Sequence, residues 1–205
     1  MTPGPGPVIV LASRSPQRRA LLAALGVPFR VVVSRAAEGV DARANALAKA
    51  RDVAARSGVP AGGAVLGADT EVVVEGRALG KPADRAAAAE MLRLLSGRAH
   101  EVHSAIALLA EGRERLATAV ARVHVRQLAP PALEWYLDTG EWRERAGGYA
   151  IQGAGAALVE RVDGDYTAVV GLPVAELTSA LVELGLAPWS GASTRPSSRG
   201  GSPIG

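Results

Sequence analysis

The chain has 205 residues, enough for one substantial core or two small lobes sharing one. It is 48% hydrophobic, mostly Ala, Val and Leu, and only 3% aromatic, a balance that suits an α/β protein with alanine-rich helices. There is no cysteine, which excludes a disulfide framework and a thiolate metal site. The net charge is +3, with acidic and basic residues interleaved rather than gathered into the stripe of a nucleic-acid binder. No run approaches membrane-spanning length and the first residues lack a basic-then-apolar leader, so a protein of the cytoplasm is expected. Lysine occurs only at Lys49 and Lys81, and every other basic residue is arginine. Where lysine survives in such a chain, a compact point charge is indicated rather than a planar fork.

In chain order, Met1 to Pro7 reads as a disordered Pro/Gly tail and Val8 to Ala12 as a short apolar strand. Ser15 followed by Pro16 marks a helix start, and Gly26 stops that helix after Leu25. Arg18 lies one turn before Leu22 on the apolar stripe, whereas Arg19 points off it. A strand, a serine-rich turn and an inward arginine at a helix start suit a phosphate cradle; two solvated first-turn arginines would give the same pattern. Phe29 to Val33 is a second strand, followed by Glu38 and by a helix from about Asp41 to Ser57, ended by Gly58. Lys49 falls at the edge of that helix's stripe, where it can reach a cleft or snorkel to solvent.

Leu66 to Pro82 is the stretch richest in chemistry. Apolar Ala64 to Leu66 are expected to break at Gly67, placing Asp69 and Thr70 at a strand end before a second apolar run, Val72 to Val74. Glu75-Gly76-Arg77 reads as a tight hairpin turn that returns Lys81 towards Asp69. A carboxylate, a hydroxyl and a lysine mounted before proline can hold a metal ion or steer a water. They also suit a surface hairpin with a solvated Asp and Lys.

Asp84 caps an alanine-rich helix to about Leu95, and His100 to Leu109 and Glu114 to Val125 read as two long strands. Val120, Val123 and Val125 against Arg122 and Arg126 argue for a sheet with one wet face. His100, His103 and His124 lack metal-ligand spacing and read as polar strand residues. Pro130-Pro131 opens a helix to about Asp138. Gly147 to Gly155 is a glycine-rich loop whose Gln152 can offer paired donor and acceptor contacts to a base edge. A strand pair near Ala157 to Val162 and Tyr166 to Val170 is expected around Asp163-Gly164, then a last helix from Val174 to Leu184. Ala187 to Gly205 reads as a disordered tail, so residues 8 to 186 form the expected domain.

Six motifs in register make the chain resemble the Maf family of nucleoside triphosphate pyrophosphatases. They are Leu-Ala-Ser-x-Ser-Pro-x-Arg-x-x-Leu-Leu (Leu11 to Leu22), Gly-Ala-Asp-Thr (Gly67 to Thr70) and Gly-Lys-Pro (Gly80 to Pro82). Ser-Gly-x-x-His-x-Val (Ser96 to Val102), Gly-Gly-Tyr-x-Ile-Gln-Gly (Gly147 to Gly153) and Val-Val-Gly-Leu-Pro (Val169 to Pro173) complete the set. The resemblance implies an α/β, Maf/ITPase-like fold: a mixed twisted sheet with long strands, flanked by helices, and two lobes around a nucleotide cleft. It implies hydrolysis of a nucleoside triphosphate to the monophosphate and pyrophosphate with a divalent metal, usually Mg²⁺, with Mn²⁺ as the alternative. Asp69 matches the family's proton acceptor, and Ser13, Arg18, Lys49 and Lys81 its phosphate-binding positions. Glu38, with Asp69, matches the metal site. Thr70 and Gln152 match the branch that prefers dTTP and UTP, while Gln17 replaces that branch's usual second arginine. The implied partner is a small nucleotide, with neither nucleic acid nor membrane, and homodimers are common in the family. A non-catalytic nucleotide-binding regulator of septum formation is the other reading; retention of Asp69, Lys49 and Lys81 argues against it.

Overall fold

The computed structural model describes residues 8–187. A mixed seven-stranded sheet runs through it, in the order β2-β1-β3-β5-β6-β7, with β4 paired to β3 off that path. The strands are β1 (Ile9–Leu11), β2 (Phe29–Val31), β3 (Ala64–Val74), β4 (Arg77–Leu79), β5 (Ala99–Ala110), β6 (Arg113–Val125) and β7 (Val159–Asp163). The helices are α1 (Pro16–Ala24), α2 (Ala42–Ser57), α3 (Arg85–Leu95), α4 (Pro130–Thr139), α5 (Tyr166–Val170) and α6 (Val174–Glu183). β1 pairs in parallel with β2 and β3, while β3, β5, β6 and β7 are successively antiparallel. Among the described residues no helix is long and apolar enough to cross a membrane.

The first three helix starts obey the capping rules. Ser15 Oγ accepts from the Arg18 N–H with Pro16 at the first helical position, and the carboxylates of Asp41 and Asp84 cap α2 and α3 in the same way. Each cap satisfies an amide that the helix cannot bond internally.

Three long strands carry two lobes. On one sheet face, Leu66 and Ala68 of β3 join Leu22, Leu172, Leu177 and Leu181 in one apolar cluster. Further along the same face, Val72 and Val74 join Leu79, Leu92, Leu95 and Tyr136 in a second. The opposite face is covered by α2, whose Ala46, Ala50 and Val53 pack on Val65, Ala105 and Ala107. Asp69 and Thr70 therefore lie where the first cluster gives way to the second.

Several elements depart from the sequence expectation. Gly67 does not break a strand; β3 runs unbroken for 11 residues and Asp69 and Thr70 are in its middle. Gly67 is instead a place of contact, because a Cβ there would stand 2.0 Å from the Ala46 carbonyl oxygen and 2.8 Å from the Ala50 amide. Its absence lets α2 lie close on the sheet. What ends near Asp69 is pairing: β1 pairs with β3 up to Leu66 and β4 begins at Val72. One edge of β3 is thus left open between them, a notch bordered by side chains from both faces.

The β3–β4 turn is the expected one, with Glu75 and Gly76 both at positive φ, as a two-residue hairpin requires. Tyr166–Val170 is a short helix and not a strand, capped by Asp165 and followed by Gly171. β7 pairs only with β6, and Gly153–Leu158 before it forms a 3-10 turn. Val120 is half exposed and faces away from the buried Val123 and Val125, so the wet face includes it. Ala187 is buried against the first cluster, contrary to its placement in a tail; Met1 to Pro7 and residues 188 to 205 lie outside the described residues.

Gly67→Ala is expected to push α2 off the sheet at a cost of about 1–3 kcal/mol, the usual range for overpacking. Urea unfolding checks it against Gly80→Ala, whose added methyl meets open space; equal midpoints for the two variants would contradict the close-contact account.

Candidate active site

The notch opens into a cleft of about 910 Å³ between the two lobes. Every residue singled out from the sequence lines it: Ser13, Gln17, Arg18, Glu38, Lys49, Asp69, Thr70, Lys81 and Gln152. Residues up to 139 positions apart are thereby brought to one place.

The first group lies on the α2 face. Lys49 is 7% exposed, and its ammonium stands 2.6 Å from both Asp69 Oδ1 and Glu38 Oε1. A buried ammonium is costly unless paired, and here two carboxylates compensate it. Asn45, one turn before Lys49, donates to Asp69 Oδ2 at 2.8 Å. The same amide donates to the Gly39 carbonyl and accepts from the Gly39 N–H, clamping the loop that carries Glu38. The hydrogen bond from Lys49 holds the Glu38 carboxyl below the usual carboxylate range; burial opposes that, and the charges of Lys49, Lys81 and Arg18 reinforce it. Lys81 approaches from the far lobe, 3.9 Å from Glu38 and 3.6 Å from Glu144.

The second group lies on the other face. Arg18 donates to the Gly171 carbonyl at 2.8 Å, to Ser13 Oγ at 3.2 Å and to Thr70 Oγ1 at 3.2 Å. Thr70 Oγ1 is also 2.8 Å from Ser104 Oγ, which donates to the Ala168 carbonyl. The Thr70 hydroxyl is thus engaged in holding Arg18. Burial lowers the Arg18 pKa below its ordinary value, against the opposing pull of Asp69 and Glu38.

The third group is the glycine-rich loop. Gly147 N–H donates to the Gly80 carbonyl at 3.1 Å, docking the loop beside Lys81. Tyr149 reaches into the cleft wall, and its hydroxyl lies 2.8 Å from Nε2 of buried His100. His100, a polar residue on a strand as expected, is buried and supports this loop. Gln152 is exposed at the rim, just ahead of the 3-10 turn.

Sequence reasoning missed Asn45, Glu144, Arg145, Ser104 and Tyr149. Asn45 was findable, since the i, i+4 spacing to Lys49 places both on one helix face. The others depend on pairings across the fold.

The sequence profile described as Maf-like protein matches residues 8–184. The chain belongs to the Maf-like protein family. A protein of Moorella thermoacetica named dTTP/UTP pyrophosphatase is 47% identical over 189 residues, covering 88% of this chain and 97% of that one. Proteins of the same name from Thermus thermophilus and Symbiobacterium thermophilum are 44% and 43% identical, each covering 89% of this chain and 97% of their own. Among solved structures, the Staphylococcus aureus Ham1 protein overlays 58% of this chain and 71% of its own at TM-score 0.43 and 15% identity. That overlap is too slight to bear on function. Each of the six motifs contributes at least one residue to the lining of the cleft.

The His100 support has a measurable signature. Burial, helped by His124, lowers the His100 pKa from 6.5 to about 4. The unfolded chain therefore takes up a proton near pH 6.5 that the folded chain refuses until about pH 4. Stability is full above that window and falls through it as pH drops, by at most on the order of 3 kcal/mol. Urea midpoints measured from pH 7 to pH 4 are expected to decline less steeply in His100→Asn than in the parent.

Proposed function

We propose that this Maf-like protein hydrolyses the α–β phosphoanhydride of nucleoside triphosphates, dTTP and UTP foremost, releasing the monophosphate and pyrophosphate. The observation that carries the reading is the convergence of Asp69, Glu38, Lys49, Lys81 and Arg18 on one cleft. The shared name of relatives that match nearly end to end supports the reaction and the pyrimidine preference.

The donor set suits a divalent cation. Glu38 and Asp69 bring their carboxylates together around the Lys49 ammonium, and their remaining lone pairs could serve a cation beside it. Among the described residues no group of three or more His, Asp or Glu forms a full cage. Mg²⁺ commonly takes only one or two carboxylates and completes its shell with water and substrate phosphate, which fits this pair; Mn²⁺ suits it as well. Bound there, the cation would supply charge neutralisation on the phosphates and acidify a water.

The chain's own residues account for the rest. Asp69, fixed by Asn45 and Lys49, accepts a proton from the attacking water as its oxygen bonds to the α-phosphorus. The bond from the α-phosphorus to the bridging oxygen breaks in turn, and pyrophosphate departs with that oxygen and the bond's electrons. Phosphoryl transfer needs alignment and charge neutralisation more than covalent help, which Arg18, Lys49, Lys81 and the Ser13 hydroxyl provide. The apolar wall of Val72, Val102, Tyr149 and Ile151, with Gln152 at its rim, gives a base a flat surface and a polar edge.

Incubation with Mg²⁺ and a panel of nucleoside triphosphates, resolving pyrophosphate from orthophosphate, tests the proposal. UTP and dTTP are expected to give pyrophosphate fastest, with Asp69→Asn slower by about 10²–10⁴-fold, the usual worth of a general base. Orthophosphate with diphosphate would show a different bond cut and overturn the mechanism.

A further inference from the structure

Apart from exposed Arg14, the cations of the cleft divide into two kinds. Lys49 and Lys81 are both matched by carboxylates, those of Glu38, Asp69 and Glu144. Arg18 and Arg145 also line the cleft, yet neither has a carboxylate within ion-pair distance among the described residues. Arg18 is held by hydroxyls and a carbonyl, and Arg145 by a neutral amide: its Nη1 donates to Gln17 Oε1 at 2.7 Å. The Arg145 Nε is buried and has no hydrogen-bond partner. A guanidinium presents five donors in a fixed fork that matches phosphate oxygens, so an unmatched one on a cleft wall lacks an anion.

The backbone is shaped to put it there. Glu144 sits at φ 59°, a conformation few non-glycine residues hold, and such outliers gather where function fixes them. The kink sends Glu144 towards Lys81 and the next residue, Arg145, towards the first turn of α1. Gln17 is fixed in turn, since its Oε1 also accepts from the hydroxyl of the cap residue Ser15. Gln17 and Arg18 both line the cleft from that turn, so Arg145 and Arg18 meet the same cleft at one helix start, where the backbone already favours an anion.

The geometry points to Arg145 as a further substrate-binding residue: its guanidinium, oriented by Gln17, takes oxygens of the triphosphate chain alongside Arg18. The assignment rests on the nucleotide reading of the cleft and names a contact that the sequence motifs did not. It gives Gln17 a role of its own, as the amide that aims an arginine from 128 residues away.

Calorimetric titration of the full chain with inorganic tripolyphosphate and with α,β-methylene-UTP tests the contact without turnover. Arg145→Ala is expected to weaken both ligands by about 10-fold or more, the worth of a charge-assisted hydrogen bond. Arg145→Lys should recover part of the loss, and Gln17→Ala, which leaves the charge in place, should weaken both by a few-fold. Unchanged tripolyphosphate binding in Arg145→Ala would overturn the assignment, as would a loss confined to the nucleotide, which would move the contact to the base. Should Arg145→Ala fail to fold, the lysine and Gln17 variants carry the same comparison. Pyrophosphate release by the parent is scored separately, so binding without turnover would sink the enzymatic reading and leave the Arg145 contact to be judged on affinity.

Discussion

The structure depends on one buried ammonium. Lys49 reaches Asp69 only because α2 lies against β3 at Gly67, and α2 can lie there only because that residue lacks a side chain. Asn45, on the same helix face, ties the second oxygen of Asp69 to the loop bearing Glu38. An ammonium this buried is tolerated when its partners are complete, and breaking one partner leaves an expensive orphan. Helix packing, loop position and carboxylate orientation are therefore fixed together, and none of them can drift without exposing the cost of the others.

That arrangement also places Asp69 and the cleft at the junction of two cores. Ala68 belongs to one apolar cluster and Val72 to the other, with Asp69 and Thr70 between them on an unbroken strand. A site carried by a rigid β-strand is held more narrowly than one carried by loops. The open strand edge between the end of β1 and the start of β4 gives the cleft access to both faces. Side chains that alternate along β3 therefore border one cleft, Asp69 from the α2 side and Thr70, bonded to Arg18, from the other.

Much of this was legible in the sequence. Caps at Ser15, Asp41 and Asp84, stops at Gly58 and Gly26, and the Glu75-Gly76 turn follow local rules, and the structure obeys them. The two lysines stood out by rarity and both lie on the cleft. Gly67 was misread because a glycine between apolar residues signals a kink locally, whereas its reason here is a helix packed above it. Val120 shows a parity slip: Val123 and Val125 share one face, and an even-numbered neighbour must take the other. Arg145 carried no local signal, since its partner lies in the first turn of a distant helix.

Tyr166–Val170 is the more instructive error. Tyr-Thr-Ala-Val-Val favours a strand by propensity, and a strand beside β7 would have extended the sheet. Two local features favour the helix: the Asp165 carboxylate accepts from the Thr167 amide and hydroxyl, and Gly171 ends the turn at φ 125°. The tertiary reason is stronger. A strand spends its carbonyls on a ladder, whereas a helix end leaves them free and partially negative. Here the Gly171 carbonyl receives Arg18 at 2.8 Å and the Ala168 carbonyl receives Ser104, which in turn meets Thr70. A segment that looks like sheet is helical here, and the carbonyls in and just after it hold Arg18 and the Ser104 hydroxyl that braces Thr70.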